Sequence, residues 1–125
     1  MGCGCVVFVG IAAEDREEDE LHMLEKILAL RIFDDGHGRM NLSLRDVRGG
    51  LMLIPQFTLL ADTSKGRRPS FFHAARPEEA RTHFDALAQK AKKALGDVQT
   101  GTFGAQMTVN VENDGPVTIL LDTKA

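Results

Sequence analysis

Pro55 stands directly after the apolar run Leu51-Met52-Leu53-Ile54 and decides what that run can become. A proline has no N–H to give to a central ladder, so the strand ends or reaches a sheet edge there. The amides of Gln56, Phe57 and Thr58 that follow are then left for another partner. Free backbone donors at a strand end are what stabilisation of an oxyanion requires. A second proline shapes the string Asn113-Asp114-Gly115-Pro116-Val117-Thr118 far along the chain. An X-Pro bond has only a weak trans preference and can be held cis in a tight turn, and Gly115 lets another backbone or a ligand come close. On spacing alone this string is also an ordinary turn between two strands.

The rest of the chain supplies the elements around these two strings. Val6 to Ile11 is a β-branched run that predicts a buried strand. The acidic stretch Glu14 to Glu20 leads into a helix, its carboxylates in the early turns where the macrodipole favours them, and Leu21, Leu24, Ile27 and Leu28 form one apolar face. Phe33 to Asn41 reads as a turn; Asp34, Asp35 and His37 could be imagined as metal ligands, but a solvated hairpin is the plainer reading. Thr63 to Ser70 is a loop that carries Lys65, Arg67 and Arg68. Pro77 suits the first turn of a second helix, which continues to about Leu95 on a stripe of Ala80, Phe84, Leu87, Ala91 and Ala94 and stops at Gly96. Met107 to Glu112 and Val117 to Asp122 read as an antiparallel strand pair, given the brevity of the connection. The order predicts an α+β domain, a mostly antiparallel, barrel-like sheet with two helices packed on it.

Length bounds this to a single domain over residues 1–125, long enough for one core. No run approaches the roughly 18 to 20 apolar residues of a membrane span, and the N-terminus lacks the pattern of a secretory signal, so a cytoplasmic protein is expected. A net charge of −3 argues against a generic nucleic-acid binder, although a local basic patch such as Lys65, Arg67 and Arg68 suits phosphate groups. Cys3 and Cys5 are too few for a zinc site and too close for an unstrained bridge, and read as small core or surface thiols. Of His22, His37, His73 and His83, none falls in a recognisable nucleophile–base arrangement, and no metalloprotease or phosphate-loop motif occurs.

Three strings read together change the weight of each. The strings Arg31 to Leu44, with Arg31-Ile-Phe and Gly38-Arg-Met-Asn41, Pro55 to Phe71, with Pro55-Gln-Phe-Thr-Leu59, and Gln99 to Asp122, with Thr102-Phe103-Gly-Ala-Gln-Met107 and Asn113-Asp-Gly-Pro-Val-Thr118, occur in one order and spacing. In this the chain resembles the D-aminoacyl-tRNA deacylase family, over nearly its whole length. The resemblance implies a homodimeric hydrolase, with no metal or other cofactor, that cleaves the ester of D-aminoacyl-tRNA and also accepts glycine. The RNA partner is the aminoacylated 3′ end. Gly115 and Pro116 would form a wall, reaching into the partner protomer's site, that an L side chain strikes and a D side chain or glycine avoids.

Catalysis is implied at Gln56, Phe57 and Thr58, with main-chain amides on the oxyanion and the 2′-OH of the terminal adenosine assisting water. Thr58 is a candidate nucleophile that lacks a visible base to activate it. Thr118 would hold the Gly-Pro turn, and Phe103 and Met107 would line the adenosine pocket, unless both belong to the core. Lys65, Arg67 and Arg68 would meet tRNA phosphates. Family members begin with two further strands, so the N-terminal strands are expected to be missing here. The alternative is then a shortened, weakly active or inactive relative that only binds tRNA ends; a cyclic-dipeptide or small-ester hydrolase with no RNA partner is a third reading.

Overall fold

The computed structural model describes residues 1–124. Its centre is β4 (Gly50–Pro55), flanked on one side by β1 (Gly4–Val9) and on the other by β5 (Val98–Thr100). Both pairings are parallel, with Gly4 opposite Gly50 and Val9 opposite Pro55 in one ladder and Leu51 opposite Val98 in the other. Parallel neighbours need a long crossover. Here the first crossover contains α1 (Glu17–Ala29), the hairpin β2 (Phe33–Asp34) with β3 (Met40–Leu42), and the short α2 (Leu44–Val47). The second contains a 3-10 turn, Phe57–Leu60, and α3 (Pro77–Leu95).

One core lies between the sheet and the helices. Leu51 and Leu53 of β4 are fully buried and meet Val9, Leu24, Ile27, Leu28, Leu44, Phe84, Leu87, Ala88 and Ala91. Each fully buried leucine contributes about 1.5–3 kcal/mol relative to exposure. The helix ends follow local chemistry. Asp19 Oδ2 accepts from the Arg16 amide at 2.8 Å to cap α1, Ser43 Oγ accepts from the Asp46 amide at 3.1 Å to cap α2, and Pro77 opens α3 while Gly96 caps it. The first helix departs from its reading in one respect: Leu21 is exposed, and Glu20 takes the buried place one turn before Leu24. There Glu20 Oε1 accepts from Lys90 Nζ at 2.7 Å and Oε2 pairs with His83 Nδ1, both from α3.

The sheet itself differs from expectation. It is an open, parallel three-stranded sheet rather than an antiparallel, barrel-like one. Among the described residues antiparallel pairing is confined to β2 with β3 and to the isolated bridges Ala12–Ala74 and Asp62–Ser70. The cause is that a helix, not a tight turn, joins each pair of neighbours in the large sheet. Met107 to Glu112 and Val117 to Asp122 form no ladder among the described residues. β4 is already paired on both sides, and a two-stranded ribbon alone is marginal in water. Ile119 and Leu120 of this segment stay exposed, while Leu121 packs against the core.

Asp34 Oδ1 accepts from the amides of Gly36 and Gly38, and Asp35 Oδ1 from that of His37, which gives both carboxylates turn-forming roles. Among the described residues no cluster of His, Cys, Asp and Glu is placed to hold a metal ion. Cys3 is exposed and Cys5 is half-buried against the core; burial pushes the Cys5 thiol up, as does the neighbouring Cys3. No described helix is long and apolar enough to cross a membrane.

Candidate active site

The strand that Pro55 was expected to end does end there, and the chain turns at once into Phe57–Leu60. Two bonds fix the departure point. The Gln56 amide donates to Val9 O at 2.8 Å, and the Gly101 amide donates to Leu53 O at 2.8 Å. The first hydrogen bond inside the turn runs from the Leu59 amide to Gln56 O. The Phe57 and Thr58 amides precede it, so the geometry of the turn gives them no acceptor within it. Both residues are exposed.

Gln56 Nε2 donates to Thr58 Oγ1. An amide donor cannot take a proton, so this contact orients the hydroxyl without activating it as a nucleophile. Behind the turn lies Gly10, just past the end of β1. A Cβ there would come within 2.5 Å of Leu60 Cδ2, 3.1 Å of Leu59 Cβ and 3.3 Å of Gln56 O. The turn is thus seated on a bare patch of backbone, a requirement that sequence reasoning missed. The signal available was a glycine at the end of an apolar run, which marks close backbone approach as readily as a stop.

On the outer side the Phe57 ring meets Phe71 edge-on, with centroids 4.9 Å apart. Between the two phenylalanines the loop is closed by reciprocal bonds of Asp62 and Ser70, at 2.7 and 2.9 Å. Asp62 also accepts from the hydroxyl and the amide of Ser64, which hold its carboxyl below the usual range. Lys65, Arg67 and Arg68 project from this loop, and none of them forms an ion pair among the described residues.

Phe103 and Met107 are half-buried and part company. The Phe103 ring packs towards Phe84 of α3, centroids 6.4 Å apart. Met107 lies by the strand end: a Cβ on Gly101 would be 2.9 Å from Met107 Sδ and 3.3 Å from Pro55 Cδ. The Gly115-Pro116 peptide is cis, and its hydrogen bonds close within the turn. Asn113 Oδ1 accepts from the Val117 amide at 3.0 Å, and Asn113 Nδ2 donates to Thr118 Oγ1 at 2.9 Å. Side-chain contacts therefore join Gln56 to Thr58 and Phe57 to Phe71, while the side-chain hydrogen bonds of the Gly115-Pro116 turn stay inside 113–118 among the described residues. Asn113 is the turn's organiser, and it was read only as part of the string.

A family model described as D-Tyr-tRNA(Tyr) deacylase matches residues 1–122. The chain belongs to this family. The resemblance carried by the three strings is thereby borne out. Two relatives named D-aminoacyl-tRNA deacylase place the degree of likeness. That of Thermoanaerobacter sp. (strain X514) is 52% identical over 124 residues, spanning 99% of this chain and 83% of the relative. That of Kosmotoga olearia is 54% identical over 121 residues, spanning 97% and 81%. Among solved structures, one described as c-Myc DNA Unwinding Element Binding Protein superposes with a TM-score of 0.91 at 35% identity, covering 98% of this chain and 83% of that one. A probable eukaryotic D-amino acid tRNA deacylase, at 20% identity and a TM-score of 0.70 over 82% of this chain and 76% of its own, shares the fold.

Proposed function

We propose that this protein hydrolyses the ester between a D-amino acid, or glycine, and the 3′ end of tRNA. The observation that carries this reading is the turn after Pro55, where the Phe57 and Thr58 amides precede the first internal hydrogen bond. Two such donors suit the oxygen of a tetrahedral intermediate, and each oxyanion donor is worth roughly 10²–10³ in rate. Water adds to the ester carbonyl, its proton passing by way of the neighbouring 2′-OH. The bond from carbonyl carbon to the ribose 3′ oxygen then breaks, that oxygen takes the proton, and free amino acid and tRNA are released. Gln56 and Thr58 shape the pocket.

Gly115 and Pro116, supplied across a homodimer, reject L side chains by collision, and Thr118 with Asn113 holds their turn. Steric rejection suits the task because D and L esters offer the same polar groups and differ only in where the side chain points. Met107 and Phe103 border the adenosine, and Lys65, Arg67 and Arg68 meet phosphates of the tRNA. The single domain acts in the cytoplasm, where its substrate is made.

The deciding experiment is release of amino acid from D-Tyr-tRNA, L-Tyr-tRNA and Gly-tRNA by substoichiometric protein. Turnover of the D and glycyl esters with the L ester spared is the expected result. Binding of tRNA without turnover at any enzyme concentration would overturn the reading in favour of a chain that only holds tRNA ends.

A further inference from the structure

Phe71 and Phe72 are consecutive, and the structure treats them oppositely. Phe71 turns in against Phe57, while Phe72 is 85% exposed. An exposed ring of this size is costly to leave in water, and this one is not on a loose tip. The Ala13 amide donates to His73 O at 3.0 Å, the Ala74 amide to Phe71 O at 3.1 Å and the Ala75 amide to Ile11 O at 2.9 Å. The backbone on both sides of the ring is therefore pinned. The His73 imidazole stands edge-on to the Phe72 ring with centroids 5.6 Å apart, so two flat rings meet at one surface point.

The charge on this stretch is mostly positive, the exception beside it being the Asp62 carboxylate, which lies within electrostatic reach of His73. From Thr63 to Arg76 the chain carries four cations, Lys65, Arg67, Arg68 and Arg76, and no carboxylate. None of the four is in an ion pair among the described residues. Arg68 and Arg76 each stand four residues from Phe72, so their Cα atoms lie within about 14 Å of its own. A second copy packed here about a two-fold axis would bring the same cations to the same place. An apolar flat face on a stretch of chain that carries four unpaired cations fits a ligand that is itself a flat face beside an anion, which is a nucleotide with its base unstacked.

We propose that Phe72 is a stacking platform for one unpaired base of a single-stranded RNA end, with Lys65, Arg67, Arg68 and Arg76 on the flanking phosphates. The choice of RNA rests on the proposed function; the stacking site lies outside the turn at Gln56 to Thr58 and deepens that reading. Phe71 links the two places, since its ring touches Phe57 while its neighbour holds the base. A nucleic-acid end stacked on Phe72 is thereby indexed to the amides that act on it.

The test uses an uncharged RNA hairpin with a short unpaired 3′ extension, 2-aminopurine replacing each unpaired base in turn, and a blunt hairpin as control. Wild-type protein is expected to quench one of these positions and to prefer the extended hairpin. Phe72→Ala is expected to lose that quenching and to bind on the order of tenfold more weakly, with its melting temperature unchanged because the ring is exposed. Phe72→Trp is expected to keep both.

Arg68→Gln is expected to lower the slope of log affinity against log salt by about 0.7, one phosphate's worth, while leaving the quenched position the same. Equal binding and quenching by wild type and Phe72→Ala would sink the platform. So would a dimer that sedimentation shows to fall apart in Phe72→Ala, since the ring would then be covered by a second copy. The hairpin carries no ester, so loss of turnover with quenching intact counts against the proposed function alone.

Discussion

Lys124 reaches back across 105 residues to Asp19, placing its Nζ 3.0 Å from both carboxylate oxygens. Asp15 stands behind at 4.0 Å. The contact ties the segment that carries Gly115 and Pro116 to the first turn of α1. The Asp19 carboxyl is held down to about 2, first by the Arg16 amide and then by Lys124. A carboxylate of unfolded pKa about 3.9 that is depressed in the fold stabilises it above that pH, and the contribution fades as pH falls through the folded value. Asp19→Asn is expected to melt below wild type at neutral pH, with the gap closing between about pH 4 and about pH 2. Thermal melts across that range check it; a gap that persists unchanged into acid contradicts the linkage.

Glu20 is a carboxylate set into the α1–α3 interface and satisfied from both sides by Lys90 and His83. The bond from Glu20 pushes the Lys90 ammonium up. Removing one partner of a buried pair leaves the other uncompensated. Glu20→Gln is expected to lower the melting temperature by on the order of 5–10 °C. A double-mutant cycle with Lys90→Met is expected to show coupling, and additive losses would mean that the two side chains do not depend on each other.

A methyl group at position 10 would press on Leu60, Leu59 and Gln56 O together. The turn at Gln56 to Thr58 would have to give by a few tenths of an ångström. Because a displacement of about 1 Å can cost about 10²-fold in rate, Gly10→Ala is expected to reduce kcat/KM for a D-aminoacyl ester by about tenfold. Single-turnover kinetics on folded protein would show whether the loss lies in the chemical step. Wild-type kinetics from Gly10→Ala would remove the seat from the account.

Asn113 supplies both side-chain bonds that close the Gly115-Pro116 turn. Gly115 has a φ of +133°, which a side chain tolerates poorly, and a Cβ there would meet Val117 Cγ2 at 3.0 Å. Asn113→Ala is expected to loosen the turn and to reduce the ratio of D to L turnover by about tenfold, the worth of one or two lost hydrogen bonds. The ratio of kcat/KM for D-Tyr-tRNA and L-Tyr-tRNA measures it. An unchanged ratio would mean that the turn holds its shape without Asn113.

Much of this was legible locally and little of it globally. Pro55 ended its strand, Pro77 opened α3 and Gly96 closed it, because each acts through its own backbone. Glu20 was hidden by its neighbours: in a run of acids it looked solvated, and only the arrival of His83 and Lys90 from α3 makes its burial affordable. The segment 107–122 alternates as a strand does, yet a strand exists only by pairing, and periodicity cannot name a partner. The site divides in the same way. The strings holding Gln56, Thr58 and Gly115 could be found by eye, whereas Gly10 and Asn113 gain their importance from what lies against them.

The parallel pairing of β1 with β4 also sets a timetable. β1 is made before its ladder partner, which is not complete until Pro55 has been added, and the hairpin of β2 with β3 that comes between them does not pair with Val6 to Val9. Contacts of such long sequence separation close late and slowly. The nascent chain therefore carries β1 without this partner while residues 10–49 are added, and the two glycines at 49 and 50 mark the moment at which that exposure can begin to end.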